Sequence, residues 1–446
     1  MTTRVSLHDY WTDPLLPQKD GVNLAHENIA SLMRRQTDPA LIVTFHDFTR
    51  LIANEDYARS VLKDVDCVIS NVGPHAHFYF WLRERLGLDY RIIRDVRTAI
   101  WSSYLHQEHL CAPYLRPYDT LLVASNYTWS IYHKIFPHLA SFPTLLCYPL
   151  TACFPTIRPE HRSPYRPPGG DFTLGYLGRL SEDKNFPDIV ELLIRLNRDP
   201  DRRHHYRLVA CGDVHSKSCA PHRVEQHIAE ALGPGDFFEY LPARDNSAIW
   251  DVMARFNVMI FPSTSNLETL GRVLIEASYA RVPILCSDHA AAGELVAPGG
   301  LCGVEYRQEE TFNTHFDHRL GSIRIPDMIE VIRQRTFGVS NCYEHYDRHP
   351  ELFLARIADP APPLAMPQLT TAQQAFIDRL SVCLPAPIGR EAADAELAEL
   401  ACWFIDLQRK DDPARETKLV RLAEITRHPQ RTAAFVLKSE ATSGDF

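Results

Sequence analysis

Short apolar runs separated by amphipathic stretches recur along most of this chain. In the first part the runs fall at Arg4–Leu7, Ala40–Phe45, Cys67–Ser70, Tyr90–Ile93 and Thr120–Ala124. Between them, Leu24–Arg34 and His77–Leu86 carry apolar residues at helical spacing. Such runs suit strands buried on both faces, and strands alternating with helices build right-handed βαβ units on a parallel sheet. The alternation is plainer further on. Strands are predicted at F-T-L-G-Y-L after Asp171, at Tyr206–Ala210, Phe237–Leu241, Val258–Phe261 and Pro283–Cys286. Helices are predicted at Asp188–Leu196, Val224–Leu232, Asn246–Ala254 and Leu270–Tyr279.

Two stretches interrupt the pattern. Pro155–Gly170 and Ala358–Pro367 are rich in proline, lack apolar periodicity and read as linkers. They divide the chain into residues 1–155, 170–357 and 368–446. The last segment reads as helical, with apolar spacing over Ala372–Val382, Ala392–Leu407 and Lys418–Ile425, and Met328–Arg333 is a further helix before it. The expected architecture is α/β: two Rossmann-like, doubly wound halves facing a cleft, plus a helical C-terminal extension. In such sheets ligands sit at the carboxyl ends of the strands.

Composition narrows the function classes. Of 446 residues, 45% are hydrophobic and 23% charged, an ordinary globular balance that excludes a disordered or collagen-like chain. Lys and Arg number 47 against 56 Asp and Glu, so the net charge of −9 gives no overall attraction for nucleic acid. Eleven cysteines are an odd count, too sparse for a disulfide scaffold. Met1–Pro14 lacks the apolar core of a signal peptide, and the longest charge-free run, near Ala140–Ile157, is broken by Pro143, Pro149 and Pro155. A cytoplasmic protein without a transmembrane segment is expected.

The residues that suggest chemistry cluster in the second segment. Gly178 and Arg179 end its first predicted strand, and Lys184 follows five residues later in G-R-L-S-E-D-K-N-F. Arginine presents a fork to phosphate oxygens and lysine a point charge. Further on, S-T-S-N-L-E-T-L-G-R-V-L-I-E-A places Glu268 in the loop after a strand and Glu276 two turns along the next helix. The junction Thr269-Leu270-Gly271 is expected to expose free backbone N–H groups, which bind anions. Carboxylates beside a phosphate site need hydroxyl donors, and sugars supply them. Together these groups outline a nucleotide-sugar site, although each charge by itself also reads as a solvated surface group.

At this point the second segment resembles the donor-binding half of retaining glycosyltransferase family 4, whose fold is called GT-B. The matching features are the G-R-x-x-x-x-K turn, A-C-G-D at Ala210–Asp213, F-P-S at Phe261–Ser263, the E-x7-E pair at Glu268 and Glu276, and G-E-L-V at Gly293–Val296. Two positions depart from the family: Leu270 stands where Phe is usual, and Arg281 where Gly is usual. The resemblance implies that Arg179 and Lys184 hold the leaving diphosphate, Glu268 the sugar hydroxyls and Glu276 the ribose. Asp213 and Leu241 fall at strand ends on the same donor side. It also implies front-face transfer with retention and no metal or other cofactor; a UDP-sugar is the default donor only because such donors are common. The first half would bind an acceptor, which the sequence does not name. Its candidate acceptor-side residues are Gly21, His75, Asp95 and Arg97. The C-terminal helices are a possible homo-oligomer contact.

Other patterns compete weakly. Asp199-Pro-Asp201 spells a metal-nucleotide motif of a different transferase fold, but it lies in a polar run with no second signal. His215, Cys219 and His222 have metal-compatible spacing yet lack a fourth ligand, so polar loop residues are the simpler reading and zinc the alternative. Two other functions compete as well: a sugar-nucleotide epimerase on the same fold, and a non-catalytic nucleotide-sugar-binding protein.

Overall fold

The computed structural model of the chain describes residues 2–9, 21–72, 75–96, 104–137, 142–155, 170–244, 248–308, 311–313, 318–359, 368–383, 386–407 and 434–438. Six strands, β1 (Thr3–His8), β2 (Leu41–His46), β3 (Cys67–Ser70), β4 (Arg91–Val96), β5 (Thr120–Val123) and β6 (Thr144–Leu146), form the first sheet. Their order is β2-β1-β3-β4-β5-β6, parallel throughout. A second sheet holds β7 (Asp171–Leu177), β8 (His205–Cys211), β9 (Phe238–Leu241), β10 (Val258–Phe261), β11 (Ile284–Ser287) and β12 (Leu301–Cys302). Its order is β12-β11-β10-β7-β8-β9, again all parallel. The strand order reverses between β1 and β3 in the first sheet and between β7 and β10 in the second. Crevices open at such reversals, because the connections on either side leave in opposite directions.

Helices cover both sheets for the reason the periodicity suggested. Helix Phe186–Arg198 buries Ile189, Val190, Leu192, Leu193, Ile194 and Leu196 against β7 and β8. Proline stands in its first turn, where the missing N–H costs nothing. Predicted helix Leu24–Arg34 begins at Gly21, so this glycine opens helix Gly21–Arg35. Of predicted helix Asn246–Ala254, the described part is Ile249–Met253.

The C-terminal segment departs from its helical expectation. Helix Thr371–Arg379 ends in strand Leu380–Cys383, which pairs antiparallel with Ala434–Leu437; that strand in turn pairs with Thr311–Asn313. The apolar residues at 380–382 serve this small sheet. Lys418–Ile425 lies outside the described residues. Helix Arg390–Leu407 is present as expected and packs Leu397, Leu400 and Phe404 into the core of the first half. A larger apolar cluster joins Tyr127 and Trp129 of the first half, Leu274 and Ile275 of the second, and Phe376 and Phe435 of the C-terminal segment. No helix among the described residues is long and apolar enough to cross a membrane.

Candidate functional site

The reversal between β7 and β10 is where the predicted donor residues converge. After β7, Gly178 takes a φ of +150°, and its N–H donates to the Cys211 carbonyl at 2.9 Å. Gly212, at the tip of β8, passes so close that a Cβ there would lie 1.9 Å from the Gly178 carbonyl oxygen. Only glycine permits that approach, and it sets the path of the loop carrying Arg179. The Arg179 guanidinium is partly exposed and sits 3.4 Å from Asp183 Oδ2. Burial opposes ionisation of Asp183, but Lys184, Ser181, Arg179 and Ser265 outweigh it and hold the carboxyl below its usual range.

Lys184 closes the same loop. Its Nζ lies 2.6 Å from Glu268 Oε2, and Ser263 Oγ donates to that oxygen at 3.0 Å. Burial again works against the charged form, yet Lys184 first and Ser263 next keep Glu268 below the ordinary carboxylate range. Asn185 fixes this meeting point. It adopts φ +56°, opens helix Phe186–Arg198, and its Nδ2 donates to the Pro262 carbonyl at 2.8 Å and Thr264 Oγ1 at 2.9 Å. One amide thereby ties the loop after β7 to the loop after β10.

The remaining donor-side residues divide. Gly271 takes φ +76° as the N-cap of helix Arg272–Tyr279, a conformation that favours glycine. Thr269 is half-buried, whereas the Leu270 side chain points into the apolar core. Glu276 is buried and ion-paired at 2.7 Å with Arg272, one turn earlier on the same helix. Asp213 is exposed beyond β8, and Leu241 is half-buried at the end of β9.

On the opposite sheet the acceptor-side candidates are more scattered. His75 is an aromatic neighbour of Phe48, Phe78 and Phe404, and burial lowers its pKa to about 4. Asp95 is fully buried near the end of β4. Gly21 opens a helix, as noted above, and Arg97 lies outside the described residues. The decoy motifs resolve into structural contacts. Asp199 accepts from Arg333 Nε at 3.1 Å and from the Asp201 backbone N–H. Cys219 is buried in the second-half core while His215 and His222 are exposed, so the three do not converge.

Two residues to which the sequence reading gave no role, His289 and Glu294, complete the surroundings of the site. His289 lies just past β11, with Nε2 3.1 Å from the Ser265 carbonyl and Nδ1 3.0 Å from the Tyr306 hydroxyl. Burial pushes its pKa down to about 4, so at neutral pH it braces the loop bearing Glu268 without adding charge. Glu294, in the G-E-L-V run, accepts from the backbone N–H groups of Asn126 at 2.9 Å and Tyr127 at 2.8 Å, and from Gln373 Nε2 at 2.9 Å. This carboxyl joins the two sheets and the C-terminal segment where helix Asn126–Ile135 begins.

Known proteins resemble the chain at this level. Residues 157–317 match the family model described as glycosyl transferases group 1. Among solved structures, Anabaena Alr3699/HepE in complex with UDP-glucose aligns with a TM-score of 0.51 at 14% identity, covering 80% of this chain and 98% of its own. Trehalose-6-phosphate synthase, OtsA, aligns with a TM-score of 0.53 at 10% identity, covering 81% of this chain and 100% of its own. The search of curated proteins finds no match. The chain has the two-sheet GT-B fold of these structures, and the match to the group 1 glycosyl transferase model falls on the second sheet and its loops.

Proposed function

We propose that the protein moves a sugar from a UDP-sugar to an acceptor held against the first sheet, with retention of anomeric configuration and without a metal ion. The observation that carries this reading is the meeting of Lys184 with Glu268, beside Arg179, at the strand-order reversal of the second sheet. UDP is the favoured nucleotide because the similarly folded HepE structure holds UDP-glucose.

The chemistry follows from where charge develops. As the anomeric C–O bond breaks, negative charge grows on the departing diphosphate and positive character on the sugar ring. Arg179 and Lys184 stabilise the first. Glu268, kept ionised by Lys184 and Ser263, accepts hydrogen bonds from sugar hydroxyls, and Glu276 takes the ribose hydroxyls. The acceptor oxygen attacks on the face the diphosphate leaves. Its proton passes to the leaving phosphate oxygen, so no protein base is required. The Asp199 carboxylate is taken up by Arg333 and by the Asp201 backbone N–H, which supports a metal-free reaction.

A thermal-shift panel of UDP, GDP, ADP and dTDP, run in EDTA, tests this reading. A ligand at 100 times its dissociation constant adds about 2.7 kcal/mol of stability. UDP should give the largest rise in melting temperature. No shift with any diphosphate, or a shift that appears only when Mg²⁺ or Mn²⁺ is restored, overturns it.

A further inference from the structure

Polar groups that the donor site leaves unused gather at the carboxyl end of the first sheet. There the strand order reverses between β1 and β3, and His8 and Asn71 are cross-bonded, with His8 N–H donating to Asn71 Oδ1 at 3.1 Å. His77 opens helix His77–Arg85 shortly after β3. It is only 5% exposed, and neither ring nitrogen has a hydrogen-bond partner among the described residues. A buried imidazole with both nitrogens unused is unfavourable unless a ligand completes it. Burial first, then His75, His106 and Arg94, lower its pKa well below the ordinary value. At neutral pH it therefore offers one hydrogen-bond donor and one acceptor.

The surroundings indicate what that ligand is. Arg94 is ion-paired with Glu108 at 2.5 Å, and His106 donates to Glu396 at 2.5 Å. Asp95 is buried on the same strand as Arg94. Arg94 and His106, the cationic or basic neighbours of His77, are therefore already engaged by Glu108 and Glu396. A phosphate or carboxylate would have to displace those carboxylates to gain a cation, whereas a hydroxyl needs only the one donor and one acceptor that the neutral His77 ring offers. Glu396 comes from C-terminal helix Arg390–Leu407, whose Phe404 ring packs 5.1 Å from His75.

We propose that His77, flanked by His106 and Glu396, binds hydroxyl groups of an uncharged saccharide or polyol acceptor, with helix Arg390–Leu407 as one wall of the subsite. This rests on the transferase reading above. The test supplies UDP-glucose and compares glucose, maltose and myo-inositol with glucose 6-phosphate and glucuronate as acceptors. The uncharged acceptors should be preferred. His77→Ala and Glu396→Gln should each raise acceptor KM by about tenfold, the loss of one good hydrogen bond. The UDP dissociation constant, measured by calorimetry, should stay within about twofold, and His77→Asn should recover part of the loss. Preference for the charged acceptors, no transfer to the uncharged ones, or an unchanged acceptor KM in both variants overturns the proposal. Failure of the parent protein to bind UDP overturns the transferase reading instead, which keeps the two failures distinct.

Discussion

Lys184 and Glu268 are 84 residues apart in the chain and 2.6 Å apart in the fold. Each neutralises the other before any ligand arrives, and their separate roles become visible only by removing one at a time. On the proposed reading, in which the carboxylate meets the sugar, Glu268→Ala should abolish transfer while UDP still binds; undiminished turnover in steady-state kinetics sinks that assignment. Arg179→Ala and Lys184→Ala should each lower kcat by about 10²–10³, the usual effect of losing one electrostatic stabiliser of the transition state. On the proposal that both serve one diphosphate, the double variant should lose less than the sum of the singles. Unchanged kcat in both singles would mean that neither cation meets the leaving group. These residues were legible from motif spacing. Their supports Asn185 and His289 were not, because each acts across a contact between loops that sequence spacing does not encode.

At the scale of elements, the paired tips of β7 and β8 show how backbone geometry sets the donor loop. A methyl group on Gly212 would strike the Gly178 carbonyl, a rigid backbone neighbour. Gly212→Ala should therefore destabilise the protein by about 1–3 kcal/mol, a value typical of strain at a special backbone position. Urea denaturation measures it, and a cost under about 0.5 kcal/mol, the range of an ordinary surface change, rules the argument out. The same scale shows where periodicity misleads. Residues 380–383 continue a helical apolar pattern, yet they form a strand because Ala434–Leu437, more than fifty residues away, supplies the pairing edge. Elements held by local propensity were readable, and those held by distant partners were not.

For the whole molecule, buried neutral histidines set a pH dependence. His46, His75 and His289 have pKa values lowered to about 3, about 4 and about 4, against about 6.5 in an unfolded chain. The unfolded state then binds more protons between those limits, so their contribution is fully present above about pH 6.5 and declines as pH falls toward 4. Glu268 and Asp183, whose pKa values are lowered, add a further loss below the unfolded carboxyl range. Glu294 and Asp288, raised by burial, act in the opposite sense. The melting temperature should fall between pH 7 and pH 5, and His289→Gln should flatten that slope. A melting temperature independent of pH over this interval overturns the account.

The order of strands and helices, the two α/β halves and the placing of Arg179 and Lys184 in the loop after β7 were determined by the sequence itself. Hydrophobic period and loop residues act over a few positions, so they can be read without a fold. The return of the C-terminal segment onto both halves, the Glu294 clasp at helix Asn126–Ile135 and the cluster around His77 and Glu396 were decided only by tertiary structure. Each depends on groups far apart in the chain that meet when apolar faces are buried together, and no local pattern records which distant surface that will be.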